Sequence, residues 1–94
     1  ALSTAKVKGA LQEIMKSSRD KNPDDSIASI DKLIEEKNPT GESLQDALFY
    51  KSMFFFRKKD KDQARNLLTE ARKVAPESKR SKEIDGLLGR LFKE

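Results

Sequence analysis

The sequence of 94 residues contains no cysteine and no histidine. Without cysteine there is no disulfide framework, no thiolate metal site and no thiol nucleophile. Without histidine the commonest general base and the commonest transition-metal ligand are missing, so any metal would have to be held by oxygen alone. Long apolar runs are absent as well. The longest candidate, Phe54-Phe55-Phe56 with its immediate neighbours, falls far short of the roughly 18 to 20 residues of a membrane helix, and a soluble domain without membrane insertion is expected. Sustained period-two alternation is missing and β-branched residues are sparse, which excludes a sheet protein. No phosphate-binding glycine loop, nucleophile elbow or calcium loop occurs. The acidic pairs Asp24-Asp25 and Glu35-Glu36 are adjacent in sequence and point in different directions on a helix, unlike a general acid and base. No enzymatic activity and no cofactor is expected. Asn38-Pro39-Thr40 is not a glycosylation acceptor, because proline occupies its middle place. The chain opens Ala1-Leu2-Ser3 with neither methionine nor an apolar signal segment, which reads as a trimmed chain or a mature fragment with its targeting signal upstream. The compartment stays open.

What is present is helical patterning. Apolar residues make up 35% and charged residues 38%, the balance of amphipathic helices that each bury one stripe. This length suits one domain of four or five short helices. A first helix is expected from about Thr4 to Arg19, with Val7, Leu11, Ile14, Met15 and Ser18 on one side. Asn22-Pro23-Asp24-Asp25 reads as a turn with Asp24 or Asp25 as helix cap. The second helix carries Ile27, Ile30, Leu33 and Ile34 and stops before Asn38-Pro39. Residues 39 to 43 read as a loop, and Ser43 with Asp46 has the spacing of a capping box. The third helix, from Ala47 through Phe56, is the densest apolar stretch and is expected at the centre of the domain. A polar corner at Lys58 to Asp62 precedes a fourth helix marked by Ala64, Leu67, Leu68, Ala71 and Val74, which ends at Pro76. The last helix, about Arg80 to Phe92, shows Ile84, Leu87, Leu88 and Leu91. Gly86 and Gly89 within it are expected to mark close packing.

The second and fourth helices echo each other. Ile27-x2-Ile30-x3-Ile34-x4-Pro39 recurs 37 positions later as Ala64-x2-Leu67-x3-Ala71-x4-Pro76, and a fixed offset of that size marks a helical repeat. Such a unit cannot bury its apolar face alone, so stacked neighbours supply the core. The central hairpin, Leu48-x2-Lys51-Ser52-x2-Phe55 followed by Ala64-x3-Leu68, Ala71 and Pro76, resembles the tetratricopeptide repeat, with Lys51 in the place of the expected leucine. Leu11-x2-Ile14-Met15-x2-Ser18, then Ile27-x3-Asp31, Ile34 and Pro39, is a looser unit in which Met15, Ile27 and Asp31 depart from the pattern. Ile84-x2-Leu87-Leu88-x2-Leu91 repeats only the opening helix. The resemblance implies a single all-α domain over 1 to 94, a right-handed stack of two hairpins (4 to 39 and 43 to 76) plus a capping helix (80 to 93). An unrelated bundle of four or five helices is the alternative.

In this family the first helices of successive repeats line a concave groove. Phased from Leu11, Leu48 and Ile84, the groove would receive Gln12, Phe49 and Asp85, then Lys16, Met53 and Gly89, then Arg19, Phe56 and Phe92, with Arg57 and Lys93 at the end. The expected site is therefore an apolar strip of Phe49, Met53, Phe56 and Phe92 flanked by Lys16, Arg19, Arg57 and Lys93. It would suit an extended or helical peptide with apolar and acidic side chains, making the chain a protein-interaction or scaffolding module. Two other readings stay open: the aromatics are core, or they form a self-association patch of a spacer or oligomerisation domain. The formal charge is +4 and uneven. Asp20 to Asp46 holds eight acidic and three basic residues, net −5, while Arg57 to Lys82 holds ten basic and four acidic, net +6. The tracts Arg57-Lys58-Lys59-Asp60-Lys61 and Lys79-Arg80-Ser81-Lys82 could meet phosphates, but lysine at helix junctions commonly serves solubility and the helix dipole, and nucleic acid ranks low among the partners.

Overall fold

A computed structural model describes the backbone of residues 2–92 and the side chains of residues 6–92. It is 85% helical. The elements are α1 (Leu2–Ser17) with a 3-10 turn (Ser18–Asp20), α2 (Pro23–Lys37), α3 (Gly41–Arg57), α4 (Lys61–Val74) and α5 (Lys79–Leu91). No strand occurs among the described residues.

Local chemistry sets the boundaries. The Ser17 hydroxyl donates to the carbonyls of Glu13 and Ile14, and Ser18 donates to Met15 at 2.7 Å. Such bonds compete with the helical ladder, and α1 tightens into a 3-10 turn before the expected Arg19. The cap of α2 is Asn22, not an aspartate: its side chain accepts from the Asp24 amide at 2.9 Å, with Pro23 as the first helical residue. The helix closes at Asn38 in the left-handed conformation, just before Pro39. The capping box expected at Ser43 does not form. Gly41, with φ of 57°, lets the chain turn into α3 two residues earlier, so Ser43 lies inside the helix with its buried hydroxyl unpaired. Asp60 and Ser78 cap α4 and α5 by accepting from the amides of Gln63 and Ser81.

Two apolar cores lie on either side of α3. Val7, Leu11, Ile27, Ile30 and Leu33 meet Ala47 and Phe54 in the first, while Leu48 and Phe49 meet Leu67, Leu68, Ala71 and Ile84 in the second. Ile34, Tyr50 and Phe55 pack against both. A helix with apolar residues all round must be covered on several sides, and α3 packs against each of the other four helices. Besides α3, α1 packs on α2 and α5 on α4. Each fully buried Leu, Ile or Phe contributes roughly 1.5–3 kcal/mol.

The two residues that depart most from the repeat pattern meet. Lys51 Nζ lies 2.6 Å from Asp31 Oδ1, joining α3 to α2 where the pattern would place apolar side chains. Small Ser52 and Ala64 are both fully buried, as close helix approach requires. Gly86 and Gly89 are exposed, and a β-carbon on either would meet nothing within 4 Å. The close packing expected of them does not occur among the described residues.

Candidate functional site

Residues of α1, α3 and α5 line one continuous side of the molecule. Val7, Lys8 and Leu11 from α1 face Ser43, Gln45 and Asp46 from α3 and Arg80 and Glu83 from α5 across a groove of about 440 Å³. Further along α1, the residues Gln12, Glu13, Met15, Lys16 and Arg19 bound a second groove of about 720 Å³ whose opposite wall is Tyr50 of α3. Leu11 and Gln12 are neighbours on α1, and Asp46 and Tyr50 are one turn apart on α3, so the two grooves lie end to end.

Three of the first groove's charges are tied together around Arg80. The Arg80 guanidinium sits 4.4 Å from the Phe49 ring centroid and 5.4 Å from that of Tyr50. Its Nε donates to Asp46 Oδ1 at 3.1 Å and its Nη1 to Glu83 Oε2 at 3.0 Å. Partial burial works against its charge, but the hydrogen bond to Asp46 and the fields of Asp46, Tyr50 and Glu83 outweigh that, and its pKa is raised above the ordinary arginine value. Such an arginine is held by stacking and ion pairs together. Beneath it, the buried Gln45 Nε2 lies 2.9 Å from the Ala71 carbonyl, 3.1 Å from that of Ala75 and 2.8 Å from Ser81 Oγ, and its Oε1 accepts from the Ser78 hydroxyl. This network fixes α5 against α3 and the end of α4.

The second groove is net basic, with Lys16 and Arg19 against the single carboxylate of Glu13. Lys16 and Arg19 are exposed and have no ion-pair partner among the described residues. Half-buried Met15 and Tyr50 give them an apolar backing.

Of the residues expected from the sequence, Lys16 and Arg19 come together here. Phe49 does not line the surface: it is 6% exposed, inside the second core and under Arg80. Met53, Phe56 and Phe92 are half-buried against the same core, and the Phe56 and Phe92 rings stand 5.4 Å apart. Arg57 is exposed and lies 5.8 Å from the Phe54 ring. Lys93 lies outside the described residues. Asp85 faces away from the grooves and pairs with Arg72 of α4. The phase expected for α1 is thus met, whereas on α3 and α5 the lining residues are Asp46 and Tyr50, and Arg80 and Glu83. One position on a helix is a turn of about 100°, enough to exchange buried Phe49 for Tyr50. Arg80 had been read as part of a solubility tract, and nothing local marks its partner 34 positions away. Both basic tracts are partly consumed by internal pairs, since Lys58 also reaches Asp24 at 2.5 Å and covers Phe55.

Among the described residues no group of three or more carboxylates converges as a metal site would require, and no helix is long and apolar enough to cross a membrane. Compared with known proteins, the chain matches no family model, no curated protein and no solved structure.

Proposed function

We propose that the chain is a protein-interaction module of tetratricopeptide-like build, which takes an extended or helical segment of a partner protein along the side formed by α1, α3 and α5. The observation that carries this reading is the end-to-end pair of grooves with Tyr50 beside their junction. Packing of each helix on the next, with α3 also on α1 and α5, agrees with stacked hairpins, as do buried Ser52, Ala64 and Ala71 at the repeat's close contacts. The segment's acidic side chains would meet Lys16 and Arg19, which outnumber the groove's one carboxylate, Glu13, and its apolar side chains would pack on Met15 and Tyr50. The first groove, in which the cations Lys8, Lys79 and Arg80 balance the carboxylates Glu42, Asp46 and Glu83, would take uncharged or backbone groups.

Selection of peptides from a displayed random library tests this. Enriched peptides should combine acidic and apolar residues and bind a Tyr50→Ala, Arg19→Glu variant at least about tenfold more weakly, with helicity unchanged. Equal binding by wild type and variant, or no enrichment at all, would overturn the reading.

A further inference from the structure

The α1–α2 hairpin carries a further groove with an apolar floor, on the other side of Glu13 from the second groove of the site above, with which it shares that residue alone. Ala10 and Ile14 of α1 and Leu33 of α2 form its floor, and exposed Glu13, Lys32 and Glu36 form its rim, around a volume of about 440 Å³. It is lined by α1 and α2 alone, so it opens at the end of the molecule away from α3. Asp31, which lies between the groove's Ser29 and Lys32 in sequence, is instead held on the α3 side by Lys51.

At the opposite end, α5 turns outward a face that nothing among the described residues covers. Lys82, Gly86 and Gly89 follow at intervals of four and three residues, which places them in one stripe, and Arg90 flanks it. All four are exposed. Two glycines in the interior of an exposed helix weaken it relative to alanine, and here no internal contact requires them, because a β-carbon at either position would stand in open space.

We propose that the α1–α2 groove is the docking site for α5 of a second copy of this chain, giving a head-to-tail association. Charge complementarity selects this occupant. The groove's rim carries Glu13, which makes no ion pair among the described residues, and Glu36 with only a distant, exposed Lys32 at 3.9 Å. Lys82 makes no ion pair among the described residues, and Arg90 donates only to the Gly86 carbonyl of its own helix. These cations flank a ridge low enough for its backbone to approach Ala10, Ile14 and Leu33. The acidic half of the chain thus presents the receptor and the basic half the ligand. The contact is heterologous, so it does not close on itself and successive copies extend. One helix in one shallow groove covers little area, which puts the association in the weak, salt-sensitive class.

Sedimentation velocity of the whole chain, over concentrations up to about 1 mM and at low and high salt, reads the association directly. Wild type should show mass that rises with concentration and falls with salt. Glu13→Lys with Glu36→Lys, and separately Lys82→Glu with Arg90→Glu, should each weaken association by about tenfold or more, and mixing the two variants should restore it, because each then offers the other a complementary end. Gly86→Gln with Gly89→Gln should abolish association while Tm holds or rises, since glutamine is the better helix former and the loss then cannot come from unfolding. A wild type that stays monomeric throughout overturns the proposal. So does association that survives the charge reversals or the glycine replacements, since it would use another surface.

Discussion

Lys59 is the residue whose backbone is most at odds with its side chain. With φ of 67° it occupies the left-handed position after α3, where its amide donates to the Phe56 carbonyl and the Asp60 amide donates to Phe55, both at 2.9 Å. That is a Schellman closure, in which glycine is the favoured residue. The conformation costs any residue with a β-carbon on the order of 1 kcal/mol. Lys59→Gly should therefore stabilise the chain by about 0.5–1 kcal/mol, or roughly 3–6 °C in Tm, after allowing for glycine's larger entropy when unfolded. Thermal unfolding followed by circular dichroism checks it, and an unchanged or lower Tm would show that the Lys59 side chain makes a compensating contact. The Lys51 and Asp31 pair illustrates the opposite case. Each residue alone breaks the repeat pattern, but together they close the α2–α3 contact as an ion pair.

Among the elements, α5 depends most on one polar side chain. Three of Gln45's contacts reach Ala71, Ala75 and Ser81, and a fourth comes from Ser78. Buried polar groups that lose their partner retain the full cost of desolvation. Gln45→Leu keeps the volume but takes the side-chain donor from the Ala71 carbonyl and the Gln45 acceptor from the Ser78 hydroxyl, and should destabilise the chain by about 1–3 kcal/mol. Urea denaturation measures the loss. Hydrogen exchange should show it concentrated in residues 79–91, while α1 and α2 keep their protection. Uniform loss across the chain would mean that the network supports the whole stack rather than the docking of α5.

At the scale of the whole molecule, the two cores share α3 and meet through Ile34, Tyr50 and Phe55. Opening either hairpin exposes one side of α3, but only global unfolding frees both. Its central amides, around Leu48 to Phe54, should therefore exchange last, at a rate set by global stability, with those of α1 and α5 exchanging sooner. Mass-spectrometric hydrogen exchange resolved by peptide checks this. Slowest exchange in α4 instead would show that the second core is stable without the first.

Five helices, their order and the central place of α3 were legible in the sequence, because apolar spacing records which face of a helix is buried regardless of what covers it. The all-α class followed from the same periodicity. Helix starts were less legible: Asn22 rather than an aspartate caps α2, and α3 begins at Gly41, since several polar residues near a turn can each cap and backbone geometry selects among them. The candidate site was half visible. Lys16 and Arg19, expected on one face from the phase of α1, a helix with one buried side, do line one groove. The phase failed on α3, which is apolar all round, so that its pattern does not say which aromatic is covered by two neighbours and which by one. Phe49 was buried and Tyr50 left at the surface by the docking of α5 through Gln45 and Arg80. The sequence by itself determined helices and their buried stripes, which depend on contacts three and four residues apart. Only the tertiary structure decided the grooves, the paired charges and the uncovered ends, because these depend on side chains brought together from distant parts of the chain.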